Sequence, residues 1–478
     1  MAIIEGGASP RDEVRRVFEA QVAQRWTVSR RTAAERVERL RRLRDAIRAR
    51  KGELCDALQG DFGKHPTETE LTELLPVLEE LSVAIRDLPR WMRPRRVATP
   101  LPLLGSRSRV VHEAKGLVLV LSPWNYPFLL ALGPIVSALS AGNCVILRPS
   151  EKTPRTGRFI HDLLASVFPE GEVAVILGDR AVADALLDLP FDHVFFTGSA
   201  AVGRKVMTCA ARHLASVTLE LGGKSPAIVD GTADVETAAA RIAWGKFINA
   251  GQTCVAPDYV LVHASIAPAL EAALRRAVER SYGPTEEARL ESRDLACLID
   301  AASCARLERA VRETVALGAR LVAGGRAEAA ARRMAPTILA DVPAGSPIMA
   351  EEIFGPVLPL VPFRELEEAI AFVRARGKPL AMYVFSQAGA NVARILAETT
   401  AGGTCVNNAV VHLANPHLPF GGVGESGMGH YHGRHGFDAL SHARGVLRQT
   451  LPSAAALLYP PYGARARRVL SLLLRITG

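Results

Sequence analysis

Gly116-Leu117-Val118-Leu119-Val120-Leu121-Ser122-Pro123-Trp124-Asn125-Tyr126-Pro127 opens a stretch with no charged residue before Arg148. That length of uncharged chain matches what a membrane-spanning helix requires. Its internal order argues against one. Pro123, Pro127 and Pro134 interrupt any single helix, and Gly142-Asn143 is a turn signal. What remains is an apolar run over 117–121, a helical candidate, and a second apolar run over 144–147. Two strands buried on both faces and joined by one helix account for the missing charge. The alternation continues at 173–176, 193–196 and 217–219, with helical candidates between. Short apolar strands alternating with helices predict an α/β protein built on a parallel sheet. Such sheets take ligands beyond the carboxyl ends of their strands.

The 478 residues are 49% hydrophobic and 22% charged, a soluble globular composition with length for two or three domains. The net charge of +9 is modest at this size. Arg41-Arg42 and Arg95-Arg96 have no interleaved aromatics, so nucleic acid is not an expected partner. The seven cysteines (Cys55, Cys144, Cys209, Cys254, Cys297, Cys304 and Cys405) form no C-x-x-C pair and are odd in number. That argues against a disulfide framework or a thiolate zinc site, and points to reduced thiols in the cytoplasm. His430 and His432 lie in a Gly-rich turn with no acidic or thiolate neighbour, so no metal is expected. No secretory signal is read at the N-terminus.

Outside the central stretch, residues 10–90 read as helices, with Val37, Leu40, Leu43, Ile47 and Leu54 at helical spacing. Thr99-Pro100-Leu101-Pro102 marks an extended connection. A second α/β region runs from near Gly222 to about Phe420. After Tyr459 the chain becomes basic and apolar: Arg465, Arg467 and Arg468 precede Val469, Leu470, Leu472, Leu473, Leu474 and Ile476. This is a terminal helix too short to span a bilayer. It suits weak membrane contact, a second subunit, or packing on its own protein.

Three segments carry chemistry. Cys254 sits in Asn249-Ala250-Gly251-Gln252-Thr253-Cys254-Val255-Ala256-Pro257-Asp258. Glu220 opens Glu220-Leu221-Gly222-Gly223-Lys224-Ser225-Pro226, and Asn125 lies in Pro123-Trp124-Asn125-Tyr126-Pro127. A thiol, a carboxylate and a carboxamide in turn-rich segments supply a nucleophile, a base and an oxyanion donor for covalent chemistry on a carbonyl carbon. Taken singly, a Cys or a turn Asn is usually structural. Taken together, the three segments make the chain resemble the aldehyde dehydrogenase superfamily, from about Leu40 to past His442. The resemblance implies that Cys254 attacks the aldehyde, that Asn125 and the Cys254 N–H hold the oxyanion, and that Glu220 activates water. It implies NAD as cofactor, with NADP as the alternative, and a bridging β element whose exposed strand edges predict a homodimer.

The cofactor residues follow from the same resemblance. His193-Val194-Phe195-Phe196-Thr197-Gly198-Ser199-Ala200-Ala201-Val202-Gly203 lacks a G-x-G-x-x-G and alone is only a strand-to-helix turn. In the family it lies against the pyrophosphate, which implicates Gly198, Ser199 and Gly203. Arg148-Pro149-Ser150-Glu151 stands at the ribose position, with Arg148 in place of the usual Lys. Arg148 and Glu151 read alone as a surface ion pair; in the family Glu151 repels a 2′-phosphate and favours NAD. Glu351-Glu352-Ile353-Phe354-Gly355-Pro356 implies Glu352 on the nicotinamide ribose and Phe354 near the ring. Trp124, Leu221 and Gly222 complete the implied cofactor set. Lys224 reads as either a support for the charge network or a structural cation.

The implied organisation is a cofactor domain of residues 1–98 and 115–221, a catalytic domain of 222–425, a bridging β element of 99–114 and 441–450, and a tail of 451–478. Glu220 separates this chain from coenzyme A-acylating relatives, which usually lack it. A non-enzymatic binding role is the other alternative, and the intact trio weighs against it. Cys254-Val255-Ala256-Pro257-Asp258-Tyr259, the run Leu418-Pro419-Phe420-Gly421-Gly422, and Tyr431-His432-Gly433-Arg434 resemble class 3 enzymes. Pro154-Arg155-Thr156-Gly157 resembles bacterial coniferyl aldehyde dehydrogenases. Both imply aliphatic medium- or long-chain, or aromatic, aldehydes. His412 and His417 are placed either at the substrate mouth or, more simply, in a solvated loop.

Overall fold

The computed structural model describes residues 10–451 and 454–477. Residues 1–9 of the expected first domain and 452, 453 and 478 of the tail lie outside the described residues.

The uncharged stretch forms the middle of a six-stranded sheet. Its order is Val173–Val175, Cys144–Arg148, Leu117–Leu121, His193–Thr197, Ser216–Glu220 and Gly427–Met428. The first five strands are parallel and the last is antiparallel. Helix Leu129–Ala141 joins the two predicted strands. Every residue of Leu117–Leu121 is buried. Val118, Val120, Val145 and Leu147 enter one core cluster, while Leu117, Leu119, Leu121, Cys144 and Ile146 enter another. This is the period-two alternation of a sheet covered on both faces. Chain order reverses between Leu117–Leu121 and His193–Thr197, which makes a crevice at their carboxyl ends. Asn125 and Gly198 follow those two ends.

A seven-stranded sheet holds the second α/β region, in the order Arg320–Ala323, Thr337–Ala340, Val357–Phe363, Tyr259–His263, Pro226–Val229, Ala381–Phe385 and Gly403–Val406. Only the Arg320–Ala323 edge is antiparallel. Pro226–Val229, Tyr259–His263 and Val357–Phe363 are neighbours running the same way. The loops that enter them therefore gather at one edge, and those loops carry Lys224, Cys254 and Glu352.

A three-stranded antiparallel sheet pairs Ser106–Ala114 with Arg95–Val97 on one side and Ser441–Gln449 on the other. It takes in Arg95–Val97, ahead of the expected boundary at 99, because Arg95 pairs with Val110. The connection expected to be extended contains a helical turn, Leu101–Leu103.

The N-terminal helices include Pro10–Ser29, Ala33–Ala49, Lys51–Phe62 and Leu75–Trp91. Thr32 and Glu35 form a reciprocal capping box at the second, whose Val37, Leu40, Leu43 and Ile47 are buried as their spacing predicts. The tail forms helix Ala464–Thr477.

Candidate active site

Helix Val235–Phe247 breaks into a tight turn at Ile248–Gly251 just before Cys254. Asn249 and Ala250 both have φ of 53°, left-handed values that cost an L-residue roughly 1–3 kcal/mol each. Side chains hold the turn. The Asn249 N–H donates to Glu68 Oε1 at 2.8 Å. Gln252 Nε2 donates to the Asn249 and Cys297 carbonyls, both at 3.0 Å, and its Oε1 accepts from the Ile299 N–H at 2.8 Å. Gly251 has φ of 73°, and a Cβ there would come within 2.2 Å of the Gly355 carbonyl oxygen. The Cys254 loop and the Glu352–Phe354 loop thus touch through backbone.

Asn125 is drawn to the same loop. Its Nδ2 donates to the Gln252 carbonyl at 3.1 Å, and its own carbonyl accepts from Asn249 Nδ2 at 2.8 Å. The amide keeps a second N–H for another acceptor. Next to it, the Tyr126 hydroxyl and Thr253 Oγ1 are 2.7 Å apart. Lys64 Nζ lies 4.1 Å from the Tyr126 ring centroid and 2.9 Å from Glu73 Oε1, with both ionic side chains wholly buried. The other Glu73 oxygen accepts from the Phe128 and Leu129 N–H groups at 3.0 and 2.9 Å, capping helix Leu129–Ala141. Sequence reasoning missed this support. Its signal was Glu73 at helical spacing from Val77 and Leu81, on what is otherwise an apolar face.

Glu220 ends strand Ser216–Glu220, and Gly427 pairs against it. Both carboxylate oxygens are buried and have no partner among the described residues. Burial alone pushes the Glu220 carboxyl well above its ordinary range. Glu352 is raised to about 8, by burial first and then by Asp258. Burial, followed by the Glu352 and Glu220 carboxylates, pushes the Cys254 thiol up. The thiol therefore lies within the field of both carboxyls. Lys224 is accounted for elsewhere: it pairs with buried Asp258 and donates to the Glu351 carbonyl at 2.9 Å. Asp258 in turn accepts from the Ile353 N–H at 2.9 Å. Lys224 is the cation that joins the three loops.

The remaining residues form two groups. Near Cys254, a Cβ on Gly222 would meet Glu352 Oε2 at 1.9 Å, and the Trp124 and Phe354 rings stack edge-to-face with centroids 5.4 Å apart. Gly198 donates to the Glu220 carbonyl at 3.0 Å, Ser199 caps helix Ala200–Ala211 with no side-chain bond, and a Cβ on Gly203 would lie 2.8 Å from Leu221. At the end of Cys144–Arg148, Arg148 Nη2 donates to Glu151 at 2.5 Å and to the Gly178 carbonyl at 2.9 Å. Ser150 Oγ accepts from the Lys152 N–H at 3.3 Å. Two buried polar atoms, Glu352 Oε1 and Arg148 Nε, lack partners among the described residues. With the open helix N-terminus at Ser199, they fit a dinucleotide laid along the crevice.

A pocket of about 400 Å³ reaches Cys254 and Thr253. Leu71, Leu75, Leu130, Trp244, Val411 and Phe420 contribute to walls that contain no Lys or Arg among the described residues. Its polar members include Glu80 and His432. Glu80 accepts from the Gly433 N–H at 2.9 Å, and burial raises its carboxyl to about 7. Burial lowers His432 to about 3. Neither His412 nor His417 is among the lining residues. His417 is exposed, but His412 is half-buried, its Nδ1 3.3 Å from the Cys405 sulfur, so the solvated-loop expectation fails for it. The pocket histidine is His432, hidden in sequence by its Gly-rich surroundings.

The profile of the Aldehyde dehydrogenase family matches residues 3–446. A probable coniferyl aldehyde dehydrogenase of Pseudomonas aeruginosa is 43% identical over 91% of each chain. Aldehyde dehydrogenase family 3 member B1 of Bos taurus is 43% identical over 96% of each chain. Among solved structures, the substrate-bound state of Staphylococcus aureus AldH aligns with a TM-score of 0.92 and 38% identity, covering 96% of this chain and 99% of that one.

Proposed function

The chain belongs to the aldehyde dehydrogenase family, in its class 3 branch, and oxidises aldehydes with NAD or NADP; from that premise we propose how its residues divide the work. Cys254 is the nucleophile. Its sulfur bonds to the aldehyde carbon, and the carbonyl oxygen becomes an anion that accepts from Asn125 Nδ2 and the Cys254 N–H. One such donor is worth about 3 kcal/mol. A bound oxidised nicotinamide would supply a positive charge and an acceptor for the hydride that leaves the sulfur-bonded carbon. The thioester left on Cys254 is opened by water, whose proton goes to Glu220. Trp124, Arg148, Ser150, Glu151, Gly198, Ser199, Gly203, Leu221, Gly222, Glu352 and Phe354 would hold the cofactor.

The observation that carries this division is Glu220. A carboxyl with both oxygens buried and no partner among the described residues is costly to fold, and it lies within reach of the thiol's electrostatics. That placement suits a base acting on a water. Glu220→Gln keeps the shape and removes the base. In rapid mixing it should release NADH in a burst comparable to the enzyme concentration, then turn over slowly. A slow burst would move Glu220 to activation of Cys254. A wild-type requirement for coenzyme A, with an acyl thioester as product, would overturn hydrolysis.

The substrate class is apolar: medium- or long-chain aliphatic, or aromatic, aldehydes. The support is a pocket with apolar walls and, among the described residues, no Lys or Arg to receive a substrate carboxylate. NAD is preferred over NADP, because Glu151 repels a 2′-phosphate and already engages Arg148. A higher kcat/KM with NADP would reverse that order. The enzyme works as a homodimer in the cytoplasm, where its seven thiols stay reduced. Disulfide recovered from rapidly alkylated cells would count against that compartment.

A further inference from the structure

The end of helix Val235–Phe247 presents two unlike faces. Trp244 and Ile248 line the pocket, and a Cβ on Gly245 would lie 3.0 Å from Ala409 Cβ and from Val410 Cγ2 in its wall. Lys246 follows Trp244 by two residues, roughly 200° round the helix, and points away from the pocket. Its side chain is wholly buried, and Nζ has no hydrogen-bond partner among the described residues. Enclosing an unpaired ammonium is strongly unfavourable. A methionine of the same length would pack there without that penalty, so packing does not account for Lys246.

The charged groups whose fields reach Lys246 come from three loops that enter the seven-stranded sheet: Asp258 before Tyr259–His263, Lys224 before Pro226–Val229, and Glu352 before Val357–Phe363. Burial lowers Lys246 to about 8, with Asp258 and Glu352 opposing and Lys224 assisting, so it is a cation in neutral solution. Two of its three neighbours are already engaged. Asp258 pairs with Lys224 through one oxygen and accepts from the Ile353 N–H at 2.9 Å through the other, while Lys224 also donates to the Glu351 carbonyl at 2.9 Å. Glu352 is not: its Oε1 is buried and has no partner among the described residues. Lys246 Nζ and Glu352 Oε1 are therefore an unpaired cation and an unpaired carboxyl oxygen, each in the other's field. Glu220 stands outside this group, since burial alone perturbs it.

Burial, and then Asp258, favour the protonated form of Glu352, whereas a ribose hydroxyl donates best to a carboxylate. We propose that Lys246 is a positioning residue for the cofactor: its ammonium is the counter-charge that holds Glu352 as a carboxylate facing the nicotinamide ribose. Lys246 acts through Glu352, which presupposes that Glu352 binds that ribose. A buried charge retained for such a task sets cofactor binding against stability. The two effects of removing it therefore have opposite signs.

In the full chain, K246M removes the charge and keeps the length. NAD binding, measured by calorimetry without aldehyde, should weaken on the order of tenfold, the difference between a charged and a neutral acceptor. The urea midpoint of the same variant should rise, because no unpaired charge is left to enclose. K246M/E352Q should bind NAD as E352Q does, since Lys246 then has no carboxylate to hold. A lower midpoint in K246M, or a loss of affinity that adds to that of E352Q, would make Lys246 a structural residue and overturn the proposal. Unchanged NAD affinity in K246M beside weakened affinity in E352Q would overturn it while leaving Glu352 on the ribose. Unchanged affinity in E352Q itself would remove Glu352 from the ribose, and the role of Lys246 with it.

Discussion

Cys254 and Glu220 face the same conflict. As the proposed nucleophile Cys254 would work as a thiolate, and as the proposed base Glu220 would work as a carboxylate, yet burial favours the protonated form of both. For each group the active form is gained as pH rises, so turnover should climb from neutral into alkaline solution. The thiol also carries repulsion from Glu352. In the cofactor-free enzyme, Glu352→Gln should therefore speed iodoacetamide alkylation of Cys254 at a fixed alkaline pH and move its pH limb downward. An unmoved limb would mean that burial alone sets the thiol. Of the seven cysteines, Cys254 and Cys297 are the two that are not fully buried, so peptide mapping should find Cys254 labelled ahead of the five buried ones. Cys254→Ala should abolish oxidation and leave cofactor affinity near wild type. Retained turnover would remove Cys254 as the nucleophile.

At the scale of elements, the buried Lys64–Glu73 pair ties three pieces together: the start of the Leu75–Trp91 helical segment, the Tyr126 ring, and the N-terminus of helix Leu129–Ala141. Glu73→Gln leaves Lys64 buried without its counter-charge. It should cost roughly 3–5 kcal/mol in urea unfolding, whereas replacing both residues by apolar ones of similar size should cost less. Equal losses would show that the charges do not interact. This pair also marks where reading the sequence stopped. Leu117–Leu121 was legible because five consecutive apolar residues have few alternatives. Asn125, Glu220 and Cys254 were legible because they recur as segments of a known family. Glu73 and Glu80 were not, since a carboxylate in a helix reads as solvated unless its spacing from Val77, Leu81 and Ala84 is followed. Gly427–Met428 was illegible for another reason: two residues are too few to carry a strand pattern, and only pairing with Glu220 and Leu219 makes them one.

At the scale of the whole molecule, the outer edges of Arg95–Val97 and Ser441–Gln449 are unpaired among the described residues. Unpaired edges invite another strand, and a two-fold arrangement closes them symmetrically. Sedimentation velocity at micromolar concentration should find a dimer, and a lone monomer would count against that use of the edges. The pairing of Gly427 with Glu220 has a further consequence, one of timing. The neighbour that completes the strand of the base is synthesised roughly 200 residues after it, which at about 5–20 residues per second is roughly 10–40 s. Until then the nascent chain carries Glu220 on an open sheet edge. A ribosome stalled anywhere between Cys254 and Gly427 therefore holds a chain whose proposed nucleophile has been made but whose proposed base is not yet enclosed.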